Sequence, residues 1–190
     1  MKLLRVCLAA FVLTLLSTPA AHAAVTLVLR LEGIPGESTV PGHLDEIVLG
    51  EVSFSVEQAV VLKEAGKGGA SAGKAAFTPI TISKGADKAS PMLFLNSVLG
   101  RPIKNAKVSF LAPDDGGTNL VEFFSISLAN VLISKFSVSA ATGDDNTQEL
   151  VTLNYGMILL NYTPAFGTPI KAGFDVIKNK EITSLPALPN

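Results

Sequence analysis

The segment AFTPITISKGADKASPMLFLNSVLGRPI, residues 76–103, contains the helix that the sequence predicts most clearly, and it separates two groups of predicted strands. Ser90 is a good N-cap residue, and Pro91 suits the first helical turn because its missing N–H group needs no partner there. Gly100 and Pro102 end the segment. Apolar residues recur at roughly helical spacing, so we expect one side of the helix to pack against a sheet, with no chemistry of its own. These apolar residues are Met92, Leu93, Leu95, Val98 and Leu99.

Three strands are predicted before this helix. Residues 24–32 (AVTLVLRLE) alternate apolar and polar side chains, as expected for a strand with one buried face. Residues 46–56 form a second strand whose apolar residues change phase at Gly50, which indicates a bulge or a sharp bend. Residues 77–83 form a short third strand. The Gly-, Ala- and Ser-rich residues before it predict a flexible loop at about 57–76, and they lack the spacing of a phosphate-binding loop.

After the helix, apolar runs separated by turn residues predict further strands. Asp114 and Asp115 lie between a proline and two glycines, where they are typical turn residues rather than an acid/base pair. The predicted strands are 106–111, 120–128, 131–139, 149–162 and 174–177. Seven or eight strands with one short flanking α-helix predict a mainly β fold, an antiparallel β-barrel or sandwich.

The chain begins with the three parts of a secretory signal peptide, residues 1–23. A basic start is followed by an apolar run at 6–16 and by the small-x-small cleavage site Ala21-His22-Ala23. No later apolar run reaches the roughly 18 residues that a membrane-spanning helix needs. An uncleaved anchor is the alternative, but the small residues fit processing better. We therefore expect a single domain at 24–190, without a membrane span, that is secreted or periplasmic.

Processing would also change the composition of the chain. Removal of Cys7 and His22 leaves no thiol and a single histidine, His43. Removal of Lys2 and Arg5 takes the basic count from 15 to 13 against 16 acidic residues, a formal charge of −3. Such a weakly acidic chain predicts no nucleic-acid binding, and its residues predict neither a metal site nor a cofactor.

The enzymatic alternative is a hydrolase built on His43 with Asp45 or Glu46 and a serine. The Gly-x-Ser-x-Gly motif of a nucleophile elbow does not occur in the sequence. A histidine beside the turn residues Pro41 and Gly42 is typical of a surface or hydrogen-bonding residue. We therefore expect that the protein is not an enzyme.

Five segments, spread through nearly the whole chain after residue 24, carry a recognisable pattern. They are GESTVPGHLDEI (36–47), FTPITISKGADKASPMLF (77–94), VEFFSISLANVLISKFSVS (121–139), GDDNTQELVTLNYGMILLNYTP (143–164) and KAGFDVIKNK (171–180). The most specific parts are the DKASP start of the helix at 87–91 and the strand at 149–162. In this order the segments resemble the haemolysin-coregulated proteins, Hcp, which are the tube proteins of the bacterial type VI secretion system.

The resemblance implies a β-barrel subunit with one flanking helix that forms six-membered rings and has no catalytic role. Such rings stack into a hollow tube that carries small effectors, so the implied partners are copies of the chain, effector cargo, and spike or sheath components. Ser53 would lie near the lumen. The loop that contains Lys67, Gly68 and Gly69 would reach toward the neighbouring ring.

Two features depart from the family. Its second strand usually carries tryptophans, whereas this chain has Val52-Ser53-Phe54-Ser55 and no tryptophan at all. Ordinary tube subunits assemble in the cytoplasm and carry no export signal. The alternative function is therefore an exported Hcp-like binding or carrier module, outside a secretion tube, in a Gram-negative bacterium.

Ring formation also suits the residues themselves. A small all-β domain must pair or cover its edge strands, and residues 121–138 carry apolar side chains in both strand phases. One face could pack in the core while the other meets a neighbouring copy. A large core in a monomer explains the same pattern equally well.

Overall fold

A computed structural model of the chain describes residues 24–61, 71–114, 116–143 and 147–185, and the predicted signal peptide lies outside them. These residues form twelve strands and one helix. The elements are β1 (Thr26–Leu31), β2 (Ile47–Leu49), β3 (Glu51–Ser53), β4 (Val56–Val61), β5 (Ser71–Phe77), β6 (Ile80–Gly85), α1 (Ser90–Leu99), β7 (Ile103–Pro113), β8 (Leu120–Ser139), β9 (Gln148–Asn154), β10 (Met157–Tyr162), β11 (Ile170–Asp175) and β12 (Lys180–Ile182).

Ten of the twelve strands form two antiparallel sheets that share the long strand β8. The first sheet has the order β12-β11-β10-β8-β7-β1-β2, and the second has the order β3-β6-β9-β8. The early part of β8 pairs with β7 and β10, whereas the part from Leu132 to Ser139 pairs with β9. Asn130, at the change of partner, has a positive φ of 55°. The mainly β prediction with one short helix is confirmed.

A second corner joins the sheets at Gly50. The strand β2 before it pairs with β1, and the strand β3 after it pairs with β6. The Gly50 N–H donates a hydrogen bond to the Ser83 carbonyl at 2.8 Å, and a Cβ at Gly50 would lie 3.1 Å from the Ser83 hydroxyl. The bend that the sequence predicts at Gly50 is therefore confirmed.

One apolar core lies between the two sheets, and α1 contributes Leu93 to it. Burial of each large aliphatic side chain contributes about 1.5–3 kcal/mol to stability. The largest fully buried side chains of the cluster are Leu29, Ile47, Ile80, Ile82, Leu93, Ile126, Leu128, Leu153, Val108 and Ile158.

The helix begins and packs differently from the prediction. Its N-cap is Ala89, and Ser90 is the first helical residue. Among the described residues, no side chain accepts the N–H groups of the first helical turn, and the Asp87 carboxylate instead accepts the N–H of the N-cap residue Ala89 at 2.9 Å. Of the five apolar residues expected to pack, only Leu93 is buried, because the ten-residue helix packs mainly on the single strand β8. The other four are Met92, Leu95, Val98 and Leu99.

Two strand predictions after the helix are also corrected. The strand expected at 149–162 is interrupted at Gly156, whose N–H donates to the Ala129 carbonyl at 3.0 Å, and a Cβ there would lie 2.7 Å from the Ile177 side chain. This interruption lets β9 and β10 pair with different parts of β8. The strand expected at 174–177 lies instead at Ile170–Asp175, where it pairs with β10.

The loop expected at about 57–76 is partly a strand pair. The strands β4 and β5 form a separate two-stranded antiparallel sheet. Backbone pairing stabilises this hairpin without an apolar period in its sequence, which is why the pattern did not predict it. Residues 62–70 lie outside the described part of the chain.

Candidate functional site

The start of α1 is held by a buried ion pair. Lys84 on β6 lies directly opposite Glu149 on β9, and the ammonium is 2.7 Å from the Glu149 carboxylate. The same ammonium is 2.8 Å from Asp87 and donates to the Ser90 hydroxyl at 3.0 Å. The Ser90 hydroxyl lies 2.8 Å from the Glu149 carboxylate. These contacts tie the first turn of the helix to the second sheet.

The proximity of Ser90 and Lys84 superficially suggests a nucleophile with its base. A base needs a free lone pair, but the Lys84 ammonium is engaged by the carboxylates of Asp87 and Glu149. A buried charge group with several partners of this kind is typical of a structural network.

This network was not among the predictions from the sequence. Ile80, Ile82 and Lys84 share the core-facing phase of β6, and Glu149 shares the core-facing phase of β9 with Val151. The available signal was a lysine one residue beyond the strand predicted at 77–83, in its apolar phase, and a glutamate at the start of the strand predicted at 149–162. Such charges are rarely buried without each other.

The segment GESTVPGHLDEI packs against the same helix start. The Lys88 ammonium lies 2.6 Å from the Asp45 carboxylate, and the Lys88 N–H donates to the Glu37 carboxylate at 3.1 Å. Within the segment, the Gly36 N–H donates to the Asp45 carbonyl at 2.6 Å. A Cβ at Gly36 would overlap the Glu46 carbonyl, so this close approach requires glycine.

His43 has a carboxylate partner. Its Nδ1 lies 2.9 Å from the Glu46 carboxylate, and both side chains are largely buried. The hydrolase hypothesis needs a serine hydroxyl on this ring, and the contacts that the structure describes for His43 bring none to it. The arrangement matches the expectation of a hydrogen-bonding residue.

Asp114 is a turn residue, as predicted, and Asp115 lies outside the described residues. The Asp114 carboxylate accepts the Asn119 side-chain amide at 2.9 Å and the Thr118 N–H at 3.0 Å. These hydrogen bonds, with one from the Asn119 N–H, lower the pKa of Asp114. The charged form therefore stabilises the β7–β8 turn.

The outer side of the second sheet carries hydroxyl groups. Ser53, Thr81 and Thr152 are cross-strand neighbours on β3, β6 and β9, in the phase opposite to the core residues. Ser137 on β8 lies in the same phase. We call these four residues the hydroxyl face. Ser53 is exposed, and a shallow cleft of about 380 Å³ runs beside it, lined by Ser53, Phe54, Ser55, Thr78, Pro79, Thr81 and Thr152.

The helix presents a different surface. Five of its apolar side chains are between 38% and 65% exposed, and we call them the apolar helix face: Met92, Phe94, Leu95, Val98 and Leu99. The rings of Phe94 and Phe136 on β8 pack in a T-shaped arrangement, with ring centroids 6.1 Å apart. Contiguous exposed apolar side chains of this kind mark contact surfaces.

The second sheet has two free edges among the described residues. The strand β3 pairs with β6 alone, and the Leu132–Ser139 part of β8 pairs with β9 alone. An unpaired edge offers a row of N–H and C=O groups to another strand. The apolar helix face lies beside the free edge of β8, because Phe94 contacts Phe136.

The β4–β5 hairpin is a further exposed apolar element. Val56, Val60 and Val61 are about half exposed. The predicted stacking residues Lys67, Gly68 and Gly69 lie outside the described part of the chain.

No helix among residues 24–61, 71–114, 116–143 and 147–185 has the length and apolar character to cross a membrane.

A free strand edge beside an exposed apolar helix face is typical of one class of protein, the small β domain that contacts other proteins. The comparison with known proteins makes the class specific. Residues 28–162 match the family described as "Type VI secretion system effector, Hcp". The chain belongs to the Hcp family of type VI secretion proteins, and the resemblance found in its sequence is confirmed.

Relatives of known identity agree with this assignment. Protein hcp1 of Pseudomonas aeruginosa is 30% identical over 162 residues, which cover 82% of this chain and 98% of that protein. Among solved structures, Hcp1 from Salmonella typhimurium is 27% identical with a TM-score of 0.70, covering 84% of this chain and 99% of the other. Another structure, described as a type six secretion system protein, is 25% identical with a TM-score of 0.76, covering 84% and 100%.

Proposed function

We propose that this chain is a ring-forming subunit whose rings stack into a hollow tube that delivers or carries effectors. The observation that carries the proposal is the pair of free edges of the second sheet, β3 on one side and Leu132–Ser139 of β8 on the other. Pairing of one copy's β3 edge with the next copy's β8 edge is a head-to-tail contact. Such contacts close into rings when the rotation between copies allows it.

The two outer surfaces then have different roles. The hydroxyl face, with Ser53, would line the lumen, because hydroxyl groups stay hydrated and can form hydrogen bonds with transported cargo. The apolar helix face lies beside the β8 edge and would be covered by the neighbouring copy. The β4–β5 hairpin, continued by Lys67, Gly68 and Gly69, would reach the next ring.

The family is a structural component of secretion, and we propose that this member has no catalytic activity. Its single histidine after residue 23 is held by Glu46. Substitution His43→Ala should therefore leave ring assembly and secretion unchanged, whereas a hydrolase would lose its activity.

Native mass measurement of residues 24–190 tests the ring, and a hexamer is the expected species. Val138 and Val121 are both about half exposed and lie near opposite ends of β8, so they form a matched pair. Val138→Arg, on the free edge, should raise the protein concentration needed for assembly by about tenfold or more, because it would bury an unpaired charge. Val121→Arg should leave assembly unchanged. Equal behaviour of the two variants, or a monomer at every concentration, would contradict the proposed ring.

We further propose that residues 1–23 are a cleavable export signal and that residues 24–190 form one domain, secreted or periplasmic. The basic start, the apolar run and Ala21-His22-Ala23 support this proposal. Export also favours the second candidate, a binding or carrier module that works outside a secretion tube. Cell fractionation with N-terminal sequencing should find a chain that starts at Ala24. A cytoplasmic chain that keeps residues 1–23 would contradict export.

A further inference from the structure

The strand β1 lies in the interior of the first sheet. It pairs with β2 on one side, where Leu27 faces Leu49, and with β7 on the other, where Thr26 faces Leu111. Backbone hydrogen bonding on both sides therefore begins within the first two residues of the strand. An interior strand leaves a sheet only when two ladders separate.

The side chains of β1 are also deeply buried. Val28 and Leu29 have no exposed surface, and Leu31 is only 4% exposed. Leu29 and Leu31 belong to the main core cluster. Removal of β1 from the sheet would therefore expose the core. We expect that β1 separates from the sheet only when most of the domain unfolds.

Very little chain separates this strand from the proposed cleavage site. Only Ala24 and Val25 lie between the Ala23–Ala24 peptide bond and the first residue of β1. Two fully extended residues span about 7 Å. Peptides are often bound as extended segments. We expect the protease to hold the chain in this way on both sides of the cleaved bond, and a length of about 7 Å then brings the folded sheet against it.

We propose that removal of residues 1–23 must precede the insertion of β1 into the sheet, so that processing and folding compete in this protein. This inference rests on the proposed export signal. An unfolded chain is cleaved, then folds, and only then presents the free edges of the second sheet for ring assembly. A chain that folds first retains its leader.

A cleavage assay with a bacterial signal peptidase in detergent tests this order. The full chain, residues 1–190, is offered either freshly diluted from urea or after refolding, with amide exchange of β1 reporting that the strand has paired. A matched variant carries ten Gly and Ser residues between Ala24 and Val25. This spacer adds a mean reach of about 17 Å and leaves the cleavage site unchanged.

We expect the refolded chain to be cleaved about 1,000-fold or more slowly than the unfolded chain, since native domains are unfolded only about 10⁻³ of the time or less. The refolded spacer variant should be cleaved nearly as fast as the unfolded chain. Failure of the full chain to fold until it is cleaved would support cleavage before folding and would overturn the competition between the two.

Two results overturn the whole inference: rapid cleavage of the refolded full chain, or equal resistance of the full chain and the spacer variant. Resistance of the unfolded chain is a separate outcome. It would contradict the proposed export signal itself, and the inference would fall with it.

Discussion

The first turn of α1 is surrounded by paired polar groups, whereas its later turns present apolar side chains to solvent. At the start, Lys84, Asp87 and Glu149 are within 2.8 Å of a partner. Along the body, five of the apolar side chains are exposed and only Leu93 and Asn96 are buried. The polar groups at the start find their partners within the same chain, whereas the apolar side chains of the body are left uncovered by it. We therefore expect changes at the start to affect folding, and changes along the body to affect association.

The largest expected effect is the loss of the buried cation. Lys84→Met leaves the carboxylates of Asp87 and Glu149 together without their counter-charge, and it should lower the free energy of unfolding by about 3–5 kcal/mol. Urea unfolding of the 24–190 chain measures this change. Lys104→Met is the matched control, because Lys104 is exposed and its ion pair with Glu32 is long, at 3.9 Å. This substitution should lower the free energy of unfolding by less than about 1 kcal/mol. Equal costs would remove the contrast.

The next effect compares two residues of the helix body. Leu93→Ala empties a fully buried core position and should cost about 2–5 kcal/mol of unfolding free energy. Val98→Ala, at an exposed position of the same helix, should change it by less than about 0.5 kcal/mol. A comparable loss from Val98→Ala in the monomer would mean that the apolar helix face packs within its own chain.

A charge on the apolar helix face should separate association from folding. Val98→Lys should leave the unfolding free energy of the monomer nearly unchanged and raise the concentration at which copies associate by about tenfold or more, because a buried interface would then hold an unpaired ammonium. Light scattering over a concentration series measures the shift. Unchanged association would show that the partner covers a different surface.

The smallest expected effect concerns an ion pair that is partly buried, between the buried Lys84 pair and the exposed Lys104 pair. Glu122 lies 2.8 Å from Lys107. Burial raises the pKa of Glu122, but hydrogen bonds from Lys107, Ser109 and Ser125 and the Lys107 charge outweigh it, so the pKa lies below 4.5. Its stabilisation is therefore present above about pH 4.5 and is lost as the pH falls through the folded-state pKa.

Glu122→Gln should cost about 0.2–1 kcal/mol of unfolding free energy at pH 7. The difference between the natural chain and the variant should narrow below pH 4.5, as urea unfolding at pH 7, 5 and 3 would show. A difference that stays constant with pH would mean that the charge of Glu122 contributes nothing.

The sequence pattern predicts best where the local chain and the core agree. The alternation at residues 24–32 indicates β1, and the change of phase at Gly50 indicates the corner between the sheets. The helix ends at Gly100 as expected, with a positive φ of 58°. In each case the residues near in sequence determine the geometry.

Long-range pairing explains what the pattern missed. The interruption at Gly156 depends on its contact with β8, and the charge of Lys84 becomes tolerable only because Glu149 lies 65 residues away in sequence. The exposed helix body was mistaken for a packing surface because apolar spacing is the same whether the covering partner is the same chain or another molecule. Ser53, which the resemblance indicated, does lie on an outer face of the second sheet, and its place in a lumen stays a prediction.

The shared strand β8 has a mechanical consequence. One strand of twenty residues belongs to both sheets, so a force applied to one sheet is transmitted through the β8 backbone to the other. We therefore expect the two sheets to resist sliding past each other along β8. For a subunit of the proposed tube, such resistance to shear would matter as well as thermodynamic stability.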